Sequence, residues 1–184
     1  IYTAQNHILS EQAYMGIISA KTASLFVSCV EMGGYAIKAN DEAIMILRDF
    51  AQLLGLCFQI RDDIFDYSPN LQTGKIAGAD LKERKITLPL LCAFKNNPSA
   101  EKDIRNLISQ IENNPLSNSQ ITEQEQTIIN KINEFIIDNR GIEDSQKILE
   151  NHISLAIEAI SDFKDCYAKQ TLVSFAQYVG KREV

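Results

Sequence analysis

Apolar residues recur at intervals of three and four positions along most of this 184-residue chain. In the segment DEAIMILRDFAQLLGLCFQI, residues 41–60, they would cover most of the circumference of a helix. The sequence lacks the strict alternation of apolar and polar residues that marks a half-buried strand. A chain of this length can bury a sizeable single core. We therefore predict an all-α fold and a single domain over residues 1–184.

Residues that cap helices divide this pattern into separate elements. Ser10 is a suitable N-cap for a first long helix over about residues 10–38, and Asn40 and Asp41 suit a second over about 41–67. The sequence TEQE at 122–125 matches a capping box. The remaining helices are expected at about residues 87–95, 99–113, 122–141, 142–163 and 167–180.

Composition and charge disfavour several classes of protein. A net charge of −6 argues against a general nucleic-acid-binding protein. No uninterrupted apolar run approaches the roughly 18 residues that span a bilayer, and no basic-then-apolar leader is visible, so neither a membrane span nor secretion is expected. We interpret four separated cysteines as reduced core thiols of a cytoplasmic protein: Cys29, Cys57, Cys92 and Cys166.

The segment FQIRDDIFDY, residues 58–67, places three aspartates within five positions of an otherwise apolar helix. Four polar side chains there fall within an arc of about 100°: Gln59, Asp62, Asp63 and Asp66. Since the flanks are apolar, the helix is expected to be largely buried and the acidic arc to face a cavity. The alternative is a solvated face, because Arg48 and Gln52 extend the same polar stripe.

Electrostatics favours a bound cation over the solvated face. Two carboxylates about 4 Å apart repel by about 4 kcal/mol at an effective dielectric constant of 20, so a partly enclosed cluster needs a compensating cation. Oxygen ligands without a nearby histidine or thiolate favour a hard ion, and Mg²⁺ is usual where phosphate oxygens and water complete the shell. An EF-hand is excluded because its loop pattern is missing.

Several lysines can meet a phosphate near this acidic stretch. Lys21, in SAKTASLF, lies on an apolar helix face, where a lysine either reaches solvent or faces an anion, and Thr22 beside it can donate a hydrogen bond. Lys75 follows Gly74 in the long connection after the aspartates, and Lys85 lies further along. A glycine-flanked lysine next to a metal site can clamp a diphosphate, although most charges in such loops are simply solvated.

Taken together, KT at 21–22, GLCFQIRDDIFDY and TGKIAGADLKERKITLPLL closely resemble the C-terminal half of the trans-type polyprenyl diphosphate synthases, within the isoprenyl diphosphate synthase family. The similarity is strong over about residues 14–94 and looser to the final YVGKRE. TLPLL is more similar to the long-chain, octaprenyl-like members than to the farnesyl type. The resemblance implies an isoprenoid-synthase-type helical bundle, of which this chain is the C-terminal portion.

The resemblance also implies an activity. Such enzymes condense an allylic prenyl diphosphate with isopentenyl diphosphate in a Mg²⁺-dependent prenyl transfer that elongates a polyprenyl chain and releases diphosphate. Homodimerisation is a further implication.

The resemblance assigns roles to the residues of this chain that match the family's site motifs. As metal ligands the resemblance implies Asp62, the principal one, with Asp63 and Asp66. As substrate-binding residues it implies Lys21, Phe58, Lys75 and Lys85. The catalytic set it implies is Lys21 with Thr22 and Gln59, whose oxygens would point at the developing carbocation, while Gly55 would leave room beside Gln59.

The pattern departs from the family in one respect. The first aspartate-rich motif and the upstream segment that binds isopentenyl diphosphate do not occur in these residues, so the chain carries only the second half-site. We interpret it as the C-terminal part of a longer enzyme, inactive alone. The alternatives are a non-catalytic subunit or helical interaction module of a two-component synthase and, against the GK…TLPLL pattern, a terpene cyclase.

Overall fold

The computed structural model describes residues 10–67, 79–111 and 122–182, and this part of the chain contains helices and no strand. The helices are α1 (Glu11–Ile18), α2 (Ser24–Ala36), α3 (Asp41–Phe65), α4 (Ala79–Lys82), α5 (Leu88–Asn96), α6 (Glu101–Gln110), α7 (Glu123–Asp138), α8 (Gly141–Ala159) and α9 (Tyr167–Lys181). A π-helical turn, Ser19–Ala23, joins α1 to α2, and a 3₁₀ turn, Pro98–Ala100, precedes α6. The all-α prediction is confirmed.

The capping residues act as the sequence predicts. The Ser10 hydroxyl accepts a hydrogen bond from the Ala13 N–H at 3.1 Å, and the Asn40 side-chain oxygen accepts one from the Ala43 N–H at 2.8 Å. Thr122 and Glu125 form the reciprocal capping box that opens α7. Each cap satisfies an N–H group that has no partner within its helix. Local side chains therefore fix where these helices begin.

The π-helical turn was not predicted. The Ser24 N–H bonds to the Ser19 carbonyl oxygen, five residues earlier, instead of four. On a regular α-helix, Ile18 and Ala23 would lie about 140° apart. Both are buried, and the wider turn brings them toward the same face. An expected single helix over 10–38 is thus two α-helices joined by a π-helical turn, ending at Ala36.

The chain divides into two compact units, and the single-domain prediction stays a prediction. One unit contains residues 1–14 and 63–145. Its core is built by α5 and α6 against α7, with the rings of Phe94 and Phe135 5.9 Å apart. Fully buried isoleucines at helical spacing face this core: Ile129, Ile132 and Ile136. The apolar stripe of α7 thus organises this unit.

The other unit contains residues 15–62 and 146–183. The π-helical turn packs on α3, where Gly55 allows a close approach: a Cβ built at Gly55 would lie 2.5 Å from the Ala23 Cα atom. The space that the resemblance implied beside Gln59 is therefore occupied, at Gly55, by Ala23. Phe50 and Ile60 are fully buried on the same helix.

Two of the four cysteines differ from the prediction. Cys57 and Cys92 are buried thiols, as expected, whereas Cys29 and Cys166 are exposed. Cys29 lies on the exposed side of α2, and Cys166 immediately precedes α9. The apolar pattern around Cys29 is real, but no part of residues 10–67, 79–111 and 122–182 covers that face of the helix.

Two helical stretches of the described residues are long and apolar enough to cross a membrane by length and composition: Glu11–Ala36 and Asp41–Phe65. The sequence reasoning missed them because isolated charged residues interrupt their apolar runs. Core helices of soluble proteins pass the same test, so two such stretches are weak support for a membrane protein.

The contact at Gly55 predicts opposite effects for two glycine substitutions. In a helix, alanine is favoured over glycine by about 0.5–1 kcal/mol. Gly55→Ala should nevertheless lower the free energy of unfolding by about 1–3 kcal/mol, because the added methyl group meets the Ala23 backbone. Gly16→Ala, with nothing within 4 Å of its Cβ, should raise it. Urea unfolding of both variants tests this, and equal effects would contradict the packing.

Candidate active-site residues

The π-helical turn carries Lys21 and Thr22, two of the predicted site residues. The Thr22 hydroxyl donates a hydrogen bond to the Gln59 side-chain oxygen at 2.7 Å. Nearby, the Gln52 amide donates to the Ser19 hydroxyl at 2.8 Å. Lys21 itself is exposed. The structure thus brings Thr22 and Gln59 together from two motifs 37 positions apart, and π-helical turns frequently mark functional sites.

Asp62 lies near the C-terminal end of α3, and its side chain is 42% exposed. It forms an ion pair with the Arg182 guanidinium. The same guanidinium donates to the Phe58 carbonyl oxygen at 3.2 Å and lies over the Phe58 ring, 4.0 Å from its centroid. Phe58 also packs beside Phe26, with ring centroids 5.7 Å apart. Phe58 is therefore held between an arginine and a second aromatic ring.

Asp63 is buried and accepts a hydrogen bond from the Tyr14 hydroxyl at 2.8 Å. Tyr14 is itself almost completely buried. Burial, followed by the negative charge of Asp63, raises the pKa of Tyr14 well above its ordinary value. Tyr14 therefore remains a neutral donor to this carboxylate at physiological pH.

Asp66 follows α3 and accepts a hydrogen bond from the Asp80 N–H at 3.0 Å. The Asp80 carboxylate lies 3.4 Å from the Lys85 ammonium group, which also pairs with Glu83 at 2.6 Å. Partial burial opposes the charge of Lys85, but Glu83 and Asp80 outweigh it and hold the pKa of Lys85 above its ordinary value. Within the described residues, Lys85 thus meets carboxylates, and its predicted contact with diphosphate stays a prediction.

The three aspartates do not form a cage for a metal ion. In the described ranges, no group of three or more histidine, cysteine, aspartate or glutamate side chains comes close enough to hold one. Mg²⁺, however, commonly binds through one or two carboxylates, with water and substrate phosphates as the other ligands. The half-exposed oxygens of Asp62 fit that mode. Lys75 and its glycine-flanked segment lie outside the described residues.

Sequence reasoning missed the partners of the aspartates. Tyr14 and Arg182 are separated from their carboxylates by 49 and 120 positions. The resemblance includes YVGKRE and the segment that begins at Tyr14, but it implied no role for Arg182 or Tyr14. Asp80, in GADLK, is the nearest of the three partners in sequence, at a separation of 14.

Comparisons with known proteins identify similar sequences. A model of the polyprenyl synthetase family matches residues 1–124. Heptaprenyl diphosphate synthase component 2 of Bacillus subtilis is 30% identical over 173 residues, which are 94% of this chain and 46% of that protein. Octaprenyl diphosphate synthase of Haemophilus influenzae is 30% identical over 169 residues, 91% of this chain and 48% of that protein.

A solved structure extends the similarity to three dimensions. A polyprenyl synthase from Caulobacter crescentus CB15, complexed with calcium and isoprenyl diphosphate, matches with a TM-score of 0.83 and 30% identity. The match covers 98% of this chain and 52% of that one. The chain therefore spans about half the length of the curated relatives and of this structure.

The pairing of Tyr14 with Asp63 predicts a dependence of stability on pH. Because the pKa of Tyr14 is raised in the folded chain, its stabilising effect is fully present below the unfolded value of about 10 and declines as the pH rises beyond it. Tyr14→Phe should lower the free energy of unfolding by about 1–3 kcal/mol at neutral pH, since Asp63 loses a donor, and should flatten the alkaline decline.

Urea unfolding between pH 7 and 11 measures both effects. Tyr167→Phe, at an exposed position, serves as the matched control and should follow the unsubstituted chain. Parallel pH profiles for Tyr14→Phe and the unsubstituted chain would contradict the raised pKa of Tyr14, and equal stability at neutral pH would contradict the assigned hydrogen bond.

Proposed function

The chain belongs to the polyprenyl synthetase family, and from this membership we propose that it supplies the second aspartate-rich half of a Mg²⁺-dependent prenyl transferase. Its all-α fold is the isoprenoid-synthase-type helical fold of the solved structures it matches. The proposed reaction condenses an allylic prenyl diphosphate with isopentenyl diphosphate, lengthening a polyprenyl chain and releasing diphosphate. The observation that carries the proposal is the Thr22–Gln59 hydrogen bond, which joins the KT and FQIRDD motifs.

Asp62 is the proposed principal metal ligand, because its side chain is 42% exposed whereas Asp63 is buried. Asp63 and Asp66 are proposed to support it directly or through water. When bound, Mg²⁺ supplies positive charge that stabilises the departing diphosphate. Lys21, with Lys75 and Lys85, is proposed to bind the diphosphate oxygens, since ammonium groups form strong hydrogen bonds to phosphate.

Thr22 and Gln59 are proposed to face the carbocation that forms when the allylic carbon–oxygen bond breaks. The Thr22 hydroxyl proton is committed to Gln59, so the Thr22 oxygen presents lone pairs in other directions. Fixed oxygen dipoles stabilise a developing positive charge without having to reorient during the reaction. The ring of Phe58, packed beside Phe26, is proposed to exclude water from the cation.

A second candidate is a subunit of a two-component synthase. The Bacillus subtilis relative is named as component 2 of a heptaprenyl diphosphate synthase. In this alternative the chain is a non-catalytic subunit or helical interaction module that acts with a different, catalytic partner chain. Binding of Mg²⁺ and pyrophosphate by this chain alone favours the first candidate, because it requires a preformed half-site.

The homodimer implied by the resemblance is proposed to form through α2. Leu25, Cys29 and Met32 are exposed at helical spacing, and Leu25 and Met32 are 66% and 64% exposed. Tyr35 extends this surface by one turn. Contiguous exposed apolar surface commonly marks a protein interface.

The metal-ligand role predicts how one charge change affects binding. The chain should bind pyrophosphate in the presence of Mg²⁺, and Asp62→Asn should weaken that binding by about tenfold or more, since removing one charged ligand from such a site costs about 1.5–3 kcal/mol. Asp49→Asn removes the same charge from an exposed position of α3 and should have no effect. Isothermal titration calorimetry with and without Mg²⁺ measures this. Equal binding by both variants would refute the role of Asp62.

The interface proposal predicts an effect on assembly. Met32→Lys places a charge in the exposed stripe of α2 and should shift the chain from dimer toward monomer, because the charge loses its water at the interface. Sedimentation velocity over a range of concentrations measures the shift. Lys38→Glu, a charge change beyond the end of α2, is the control. A chain that is monomeric before substitution would exclude this surface as a homodimer contact.

A further inference from the structure

Arg182, the residue after α9, connects the end of that helix to the aspartate-rich turn of α3. Its guanidinium pairs with an Asp62 carboxylate oxygen, donates to the Phe58 carbonyl oxygen and stacks on the Phe58 ring. The Arg182 side chain is only 16% exposed. Arginine is suited to such a position because its planar group can bind a carboxylate and stack on an aromatic ring at the same time.

Arg61 holds the main chain of Arg182 from the preceding position of α3. Its Nε and Nη2 atoms lie 3.1 and 2.8 Å from the Arg182 carbonyl oxygen. Its Nη1 atom lies 2.9 Å from the Gln146 side-chain oxygen of α8. Consecutive residues of α3 therefore hold Arg182 at two points, Arg61 at the backbone and Asp62 at the side chain.

The guanidinium contacts one of the Asp62 carboxylate oxygens, the atoms through which a cation would bind. A half-buried carboxylate among apolar neighbours needs a positive partner, and Arg182 provides one. A divalent cation on the same carboxylate would lie beside a guanidinium of like charge, in surroundings that screen the repulsion less than water does. The guanidinium and a divalent cation therefore repel each other when both contact Asp62.

We propose that Arg182 is the resident counter-ion of Asp62 and that a divalent cation binding there displaces its guanidinium, loosening the last turn of α9. The inference rests on the proposed function, because it takes Asp62 as the metal ligand. Displacing Arg182 costs free energy, so this residue weakens the binding of the metal to Asp62. The displacement also makes the position of Arg182 dependent on the metal, while the Arg61 contact keeps the backbone close by for re-pairing.

Metal affinity tests the competition directly. Mn²⁺ alone, without pyrophosphate, is titrated into the full chain, and the free ion is measured by electron paramagnetic resonance. Arg182→Gln should lower the Kd for Mn²⁺ by about fivefold or more, the lower range of coupling between two linked binding events. Lys181→Gln, an equal charge change at an exposed neighbouring position, should alter the Kd by less than about twofold, because exposed charges are screened.

The displacement of Arg182 can also be detected without measuring a metal affinity. The Arg182 N–H donates to the Tyr178 carbonyl oxygen at 2.8 Å, so hydrogen exchange at that amide reports on the last turn of α9. Mg²⁺ should speed this exchange in the unsubstituted chain. It should have no such effect in Asp62→Asn, which lacks the proposed ligand charge.

The opposite result has an equally clear meaning. If Arg182→Gln weakens Mn²⁺ binding or leaves it unchanged, Arg182 orients Asp62 or is a bystander, and the proposal is wrong. If pyrophosphate still binds with Mg²⁺ through Asp62 in that case, the proposed function stands and only the displacement falls. If no variant binds Mn²⁺ and none binds pyrophosphate with Mg²⁺, both fall together.

Discussion

A carboxylate on an apolar helix is stable only with a donor or a cation beside it, and the described site is arranged around that requirement. Asp63 is buried against the Tyr14 hydroxyl. Asp66 accepts the Asp80 N–H, and Asp62 pairs with Arg182. Each partner comes from a different segment of the chain. Within each of the two units, the aspartates of this stretch thus take their partners from other segments of the same unit.

Local features of the fold were predictable because their causes lie within a few residues. The caps at Ser10 and Asn40 and the box at Thr122 satisfy helix N–H groups three positions away, so short sequence patterns were enough to place them. The all-α class followed from apolar spacing in the same way. Thr22 and Gln59, to which the resemblance assigns one shared role, are joined by a hydrogen bond, and that role stays a proposal.

What the sequence did not predict depends on long-range packing. Nothing near Asp62 in the sequence points to Arg182, and the exposure of Cys29 reflects which face of α2 lacks a neighbour among the residues that the structure describes. The close contact between Gly55 and Ala23 likewise arises from two elements that meet only in the folded state. A glycine in a helical sequence pattern indicates that another segment approaches the helix closely there, but it does not indicate which segment.

The π-helical turn contains one residue more than a regular α-helical turn, and the packing of the core and the direction of the polar side chains depend on that residue differently. If one residue of the turn were deleted, Ile18 and Ala23 would be four positions apart, about 40° on a regular α-helix, and still on one buried face. The core therefore does not require the additional residue. Its effect is on the direction in which Lys21 and Thr22 project. A one-residue deletion there would therefore leave the helix well packed but would turn these two polar side chains away from their present directions.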